Sequence, residues 1–464
     1  MKTLILHITK EDAPFLPSIK PLLSHKANVR ITTVIPITSL ELVTTARQHG
    51  ACGVATTSLR LLELLVPEDK RPKISNYAGS IIKKHGVEFL ILDPLKNIHT
   101  VSEGKFILSR FISKLLNPED WIKLPEFKWE LFNPAQVEEY LSFFGSSTFL
   151  SVDIETIRDD PDRAIECISF TAVRLTSNKG EELVFETVVV PFDSMFNVLF
   201  VKRVCALSLP KLFQNGKYDI AYLLRFGCPV TNYLLDTLNF FHCWLSELPK
   251  DLGFIASMMV RDYSFHKEEG SGGEKYARYS YNAKDTYYTA GAALALLSEL
   301  PSYAINNWKI QFPVVFPCIL CEHTGSKLDT VAFERNKKLV EQQSEKELSR
   351  LRVLVANPDY NPNSWQQTQK LFHILGSKDI KSTDEKARDK VAFRHPLNSV
   401  ILKRIDAYKE NSKENSSYYK DTVNWLGRIF YSLNPTGTDT GRLSSRESSF
   451  WCGLQIQNIK RDVE

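Results

Sequence analysis

The 464-residue chain has no run of about 18 apolar residues, which excludes a membrane-spanning helix of ordinary length. Its opening, Met1 to Ile8, carries too short an apolar segment for a secretory leader. Eight cysteines show no spacing that reads as a disulfide framework. A reducing compartment is therefore expected: the cytoplasm, or the host cytoplasm for a viral chain. Cys318 and Cys321 are the one close pair. With no second pair at zinc-site spacing, they are read as ordinary thiols in a buried strand. Charge of one sign is also lacking: the net charge is +4 and the pI near 8.4. Such a balance permits nucleic-acid binding without demonstrating it. A glycine-rich phosphate cradle is missing too. The Gly-Ser-Gly-Gly stretch at Gly270 to Gly273 follows no strand and opens no helix at the required spacing, so it reads as a flexible loop.

What is present points to a globular protein. Hydrophobic residues make up 43% of the chain and aromatic residues 11%. The length suits two or three domains, each with its own core. Residues 1–130 alternate strand-like runs (Thr3–Ile8, Val29–Ile37, Glu88–Leu92) with helix-like ones (Ser39–His49, Ser58–Leu65, Lys105–Leu116). That pattern predicts a small α/β domain, either docking a partner or nucleic acid or serving as a brace. A proline- and tryptophan-containing linker around Pro118–Pro134 precedes a second domain, residues 131–301. There, strands Phe149–Glu155, Cys167–Val173 and Leu183–Pro191 come before alternating helices. Residues 302–464 form a third, mainly helical segment. Charged helices are expected over Val331–Leu354 and Val400–Glu410, with Lys403, Arg404, Lys409, Lys413 and Lys420 on or after the second.

Three short acidic motifs stand in chain order in the second domain. In the first, Leu150, Val152 and Ile154 alternate with Ser151, Asp153 and Glu155, so a strand would place both carboxylates on one face. Two carboxylates so close repel each other unless a cation lies between them. Hard divalent cations take oxygen ligands, so the placement suits them. The second motif, Asn215-x-x-x-Asp219, follows a short apolar run and opens a helical pattern. The third, Tyr281-x-x-x-Asp285, lies in a long helix-forming run over Tyr281–Leu297, its two side chains on one helical face. Singly, each has a plainer reading: a solvated strand face, a helix cap, an incidental pair. Together they predict a site with four carboxylates and one phenol. Two divalent ions, Mg²⁺ with Mn²⁺ as substitute, could there activate water for in-line displacement at a phosphodiester. Asp153 is placed to bridge the ions, Glu155 and Asp285 to complete one, Asp219 to help hold the other, and Tyr281 to orient the water.

The three motifs resemble those of the 3′–5′ proofreading exonuclease domain of family A DNA polymerases, of the subtype with tyrosine in the third motif. The similarity continues beyond them. Pro317 to Asp329 resembles the stretch from exonuclease to thumb; Asn361-Pro-Asn-Ser364, Ser382 to Lys386 and His395-Pro-Leu397 resemble thumb landmarks. Gly427-Arg-Ile429, Thr436 to Ser445 and Leu454 to Ile459 resemble the start of the palm, although Lys460 stands where the family usually has proline. Asn76 to Ser80 and Gly104 to Phe106 are more weakly similar to phage-type members. The resemblance implies an N-terminal α/β domain, a ribonuclease H-like exonuclease domain with a mixed sheet flanked by helices, and a helical thumb leading into a palm. It implies catalysis by Asp153, Glu155, Asp219, Tyr281 and Asp285, the four carboxylates holding metal. DNA contacts are implied at Asn215, Thr156, Tyr218, Lys413, Arg442, Gln457 and Asn458. Phe213, Tyr218 and Tyr222 are candidates to stack on unpaired bases.

No motif for nucleotide addition follows before Glu464. The expectation is that polymerisation would need a further C-terminal half of roughly 200–300 residues, as a separate chain or a missing segment. The expected activity is removal of 3′-terminal nucleotides from single-stranded ends or frayed primer-template DNA, with no membrane partner. Two rivals stand beside it: a ribonuclease D-like exonuclease acting on RNA, and a non-catalytic half of a split polymerase that binds primer-template.

Overall fold

The computed structural model describes residues 2–24, 28–32, 39–98, 102–157, 164–176, 182–268, 274–419, 426–448 and 455–458. The expected loop at Gly270 to Gly273, Lys420, and the expected strand residues Thr33 to Ile37 lie outside them, as do Leu454 and the chain from Ile459 onward. The chain forms two compact units, Met1–Phe316 with Thr438–Arg442 and Pro317–Gly437 with Leu443–Glu464.

The first unit contains two sheets. One is built from β1 (Thr3–His7), β2 (Asn28–Thr32), β3 (Ala51–Thr56), β4 (Ile81–Lys84) and β5 (Val87–Ile91), in the order β2-β1-β3-β5-β4. Its pairs are parallel except β4 with β5. Helices connect the parallel strands, as alternation of the two periodicities requires. β3 and β4 are additions to the strands expected from sequence. β3 lies inside the sheet and buries four successive residues, Gly53 to Thr56, so it carries no alternating polar signal.

The second sheet comprises β6 (Trp129–Leu131), β7 (Phe149–Thr156), β8 (Ile165–Thr176), β9 (Glu182–Pro191), β10 (Lys211–Phe213) and β11 (Tyr233–Asp236), in the order β11-β10-β7-β8-β9-β6. β7, β8 and β9 run antiparallel in succession, while β10 pairs parallel with both β7 and β11. The result is the expected mixed sheet with helices against it. The long helix Lys275–Glu299 packs on β7 and β8 through small side chains, with Ala283, Ala290 and Ala293 fully buried. Hydroxyls fix it at close range: Ser169 donates to the Asn282 carbonyl at 2.8 Å and Thr171 to Thr286 at 2.9 Å.

The two sheets share a core. A single hydrophobic cluster joins Leu4, Leu6 and Phe111 to Phe149, Met258 and Ala292. Polar contacts reinforce the join: Ile81 N–H donates to the Tyr263 carbonyl at 3.0 Å, and Arg261 reaches Glu88 at 2.6 Å. The buried Lys114 amine donates to the Gly79 carbonyl at 2.6 Å. Burial, with Arg110 nearby, holds its pKa well below the usual lysine range.

The second unit is mainly helical. Helices Thr330–Leu354, Trp365–Ile374, Glu385–Arg394 and Ser399–Tyr418 enclose a core around Leu351, Phe372, Val391, Leu402 and Ile405. Asp329, Ser364 and Asp384 cap the first three, each accepting from backbone N–H groups of the first turn. Short antiparallel pairs, Ser326–Lys327 with Arg428–Ile429 and Tyr431–Asn434 with Ser444–Glu447, complete it.

The strand expected around Cys318 and Cys321 is a helix, Val315–Thr324, which buries the first thiol and exposes the second. The apolar run there is short, and short apolar runs fit either element. None of the described cysteines is in a disulfide. Among the described residues, no helix is long and apolar enough to cross a membrane.

Gly79 marks the join between the sheets. It has φ +81°, and an added Cβ would lie 2.5 Å from the Phe111 ring and 2.9 Å from Ser257 Cβ. Gly79→Ala is expected to destabilise the first unit by roughly 2–4 kcal/mol, combining left-handed strain with overpacking. Urea unfolding followed by tryptophan fluorescence measures this, and an unchanged midpoint would refute it.

Candidate active site

The site begins with the edge that β10 leaves open. β10 pairs with β7 only as far as Ser151. Beyond that point the N–H of Ile154 is met instead by the Asp219 carboxylate, at 3.0 Å. Asp219 comes from the helix Gly216–Arg225, whose start is set by an unusual turn. Asn215 adopts the left-handed region, φ 60° and ψ 39°, and its side chain makes no capping bond. Asp236, at the end of β11, does that work. Its carboxylate accepts from Asn215 N–H at 3.0 Å and Gly216 N–H at 2.7 Å, and it also caps the helix Thr237–Trp244.

Asp153 and Glu155 project from β7 as the alternation predicts, while Leu150, Val152 and Ile154 are buried. Asp285 reaches them from the long helix. One carboxylate oxygen from each of Asp153, Glu155 and Asp285 lies within 4.8 Å of the other two. Asp219 stands outside this group but close enough for its charge to act on Asp153. Tyr281, one turn before Asp285, is half-buried and hydrogen-bonded to it.

Four residues that sequence reasoning did not single out hold these groups. The Asn282 amide donates to Asp153 Oδ2 at 2.7 Å. His266 Nε2 lies 2.8 Å from Asp285 Oδ1. Arg278 pairs with Glu166 at 2.7 Å, stands 3.7 Å from Glu155, and donates to the Thr156 carbonyl at 2.8 Å. Asp236 is the fourth. Asn282 and Arg278 had a usable signal, since they lie at Tyr281+1 and Tyr281−3 in the third motif. His266 had none, because 19 residues separate it from Asp285.

The electrostatics follow from crowding. Burial raises the Asp153 pKa well above the carboxylate range, and Asp219, Asp285 and Glu155 add to the rise. Burial likewise pushes Asp219 up to about 8, against the Ile154 hydrogen bond and with the charges of Asp236 and Glu155. The Tyr281 phenol is raised by burial, then by Asp285, Glu155 and Asp153, so it keeps its proton. An all-oxygen donor set this crowded fits a hard divalent cation, which would relieve the repulsion.

The remaining expected DNA-contact residues are scattered. Thr156 Oγ1 lies 3.4 Å from the hydroxyl of half-buried Tyr218, next to the cluster. Asn215 is exposed. Of the three stacking candidates, Phe213 and Tyr222 are fully buried core side chains. With no exposed surface, neither ring is open to a base. In the second unit, Lys403 and Lys413 are exposed, whereas Arg404 is held by Glu347 at 2.6 Å. Arg442 is exposed. Exposed Gln457 donates its amide to the Leu443 carbonyl at 2.7 Å. Asn458 ends a short helical turn, Ile456–Asn458.

Asp219 carries more protons in the folded than in the unfolded protein between pH 3.8 and about 8. The contribution of Asp219 to the stability of the metal-free protein is therefore fully present below that window and is lost as pH rises through it. Asp153→Asn, which removes one of the repelling charges, is expected to raise metal-free stability at pH 8 by roughly 1–3 kcal/mol. Millimolar Mg²⁺ should then stabilise the unmodified chain and leave the variant unmoved. Thermal denaturation with and without chelator reads both effects; a variant less stable than the parent at pH 8 would contradict the account.

No protein-family model matches this chain, and no curated protein matches it. Among solved structures, its fold is similar to that of the POL domain of Pol1 from M. smegmatis, in complex with DNA primer-template and dNTP. The TM-score is 0.53 at 14% identity, over 72% of this chain and 57% of the other. This chain thus spans just over half the length of that neighbour. At such identity the likeness is one of fold, and the chain has a DNA-polymerase-like architecture.

Proposed function

We propose that this chain is a metal-dependent 3′–5′ exonuclease acting on DNA, with a proofreading role beside a family A type of polymerase. The observation that carries the reading is the convergence of Asp153, Glu155 and Asp285 within 4.8 Å, from a strand and a helix far apart in sequence. The polymerase-like fold and the DNA bound to the similar structure make DNA the favoured polymer. Residues 131–301 would form the nuclease, and residues 302–464, from their likeness to a thumb and the start of a palm, would bind primer-template. Lys413, Arg442, Gln457 and Asn458 are the proposed contacts there, with Asn215, Thr156 and Tyr218 at the nuclease.

Under this reading Asp153, Glu155, Asp285 and Asp219 hold Mg²⁺ or Mn²⁺. Divalent ions so held supply a nucleophile at neutral pH and stabilise charge on the leaving oxygen. The chain's own groups do the rest. Asn282 fixes the Asp153 carboxylate by a 2.7 Å hydrogen bond, and His266 fixes Asp285 at 2.8 Å. Tyr281 keeps its proton and offers a hydroxyl that orients the attacking water rather than deprotonating it. A mismatched 3′ end is already partly unpaired, so less energy is needed to bring it to the site.

A labelled DNA primer-template with a 3′ mismatch should be shortened stepwise in Mg²⁺ or Mn²⁺. Asp153→Ala with Glu155→Ala should abolish the shortening. Tyr281→Phe should slow it by roughly 10²-fold, the loss a misplaced reactant brings. Shortening of RNA but not DNA would favour the ribonuclease reading, and no shortening of either would leave a binding role alone.

A further inference from the structure

A cavity of about 830 Å³ opens beside the carboxylate cluster, with Tyr281 and Asp285 in its lining. Its opposite wall belongs to the N-terminal α/β layer: Ser75 and Asn76, in the short helix Ile74–Tyr77, and Asp93 just after β5. Ile107 and Phe254 give it apolar surface. The volume lies within the roughly 300–1,000 Å³ typical of small-ligand sites, which likewise join apolar surface to a few convergent polar groups.

Charge narrows the occupant. Asp93, Asp251, Glu268 and Asp285 line the cavity against Lys267 alone, so a phosphate chain gains nothing by entering. A base and sugar, neutral and carrying both a π face and hydrogen-bonding edges, match the lining. The N-terminal wall is also held in place. Phe265 N–H donates to Ser80 Oγ at 3.2 Å, the Tyr77 and Phe265 rings stand 4.9 Å apart, and Ile81 N–H reaches the Tyr263 carbonyl at 3.0 Å. The segment that forms these contacts continues directly into His266, the partner of Asp285.

We infer that the N-terminal α/β layer is part of the substrate site, its Ser75 and Asn76 forming one wall of a subsite for a nucleoside of the single-stranded DNA end being trimmed. The inference rests on the nuclease reading given above. It assigns a role to residues 1–130 that no acidic motif marks. It also adds a source of selectivity, since a paired base must leave its partner before it can enter.

The test uses the full chain, unmodified and as Ser75→Trp and Asn76→Ala. Ser75 is exposed at the rim, so tryptophan there narrows the mouth without entering the core. Three measurements are made: calorimetric binding of thymidine 5′-monophosphate, steady-state hydrolysis of oligothymidylate, and hydrolysis of bis(p-nitrophenyl) phosphate, a phosphodiester without a nucleoside. For Ser75→Trp, thymidine monophosphate binding should weaken about tenfold, a change of one decade in Kd. The oligothymidylate KM should rise, and the ratio of oligothymidylate to bis(p-nitrophenyl) phosphate turnover should fall. Asn76→Ala should move the same quantities less far. Equal nucleotide affinity and equal KM in all three proteins would overturn the inference, as would an equal loss on both phosphodiesters. If the unmodified chain hydrolyses neither phosphodiester, the nuclease reading fails by itself. The nucleotide-binding comparison then still decides whether the cavity takes a nucleoside.

Discussion

Mutual repulsion among crowded carboxylates is the constraint around which the first unit is arranged. Asp153 and Glu155 share a strand face, and Asp285 is brought to them by a helix whose alanines lie flat against that sheet. Crowding of like charge costs free energy in the absence of a cation. The surrounding fold therefore supplies restraint from several directions: Asn282 on Asp153, Arg278 beside Glu155, His266 on Asp285 and the Ile154 N–H on Asp219. Asn282, Arg278 and the Ile154 N–H belong to a helix and a strand anchored in the shared core, and His266 to a connecting segment tied to β4. A site that stores repulsion needs a rigid frame, and the packing provides one.

The N-terminal layer belongs to that frame. Its sheet shares a hydrophobic cluster with the second sheet, and the segment from Arg261 to His266 is tied to both. His266 thus meets Asp285 from a backbone held by β4 and by Ser80. A layer without a motif of its own in this way bears on the geometry of the proposed nuclease.

The polymerase-like likeness of fold and the acidic cluster are independent observations. The first concerns backbone arrangement over 72% of the chain, at an identity too low to transfer chemistry. The second concerns side chains and holds whatever the neighbour does. The fold sets where the helices and strands lie, and the side chains carry the proposed chemistry.

Much of the architecture was legible from local signals. The strand over Phe149–Thr156 announced itself by alternation, and the helices Lys275–Glu299 and Thr330–Leu354 by long helix-forming runs. β3 was not legible because a strand covered on both faces loses its alternation. The helix at Cys318 was misread because a short apolar run fits either period. In the site, sequence alone determined which residue types stand four apart or two apart, since that spacing alone sets the face of a helix or strand they share. Only the tertiary structure decided that Asp153, Glu155 and Asp285 meet while Asp219 stands behind them, and that Phe213 and Tyr222 are core. It alone brought His266 and Asp236 to the motifs. Those outcomes depend on sheet order, helix packing and turn geometry, contacts between segments that local spacing does not encode.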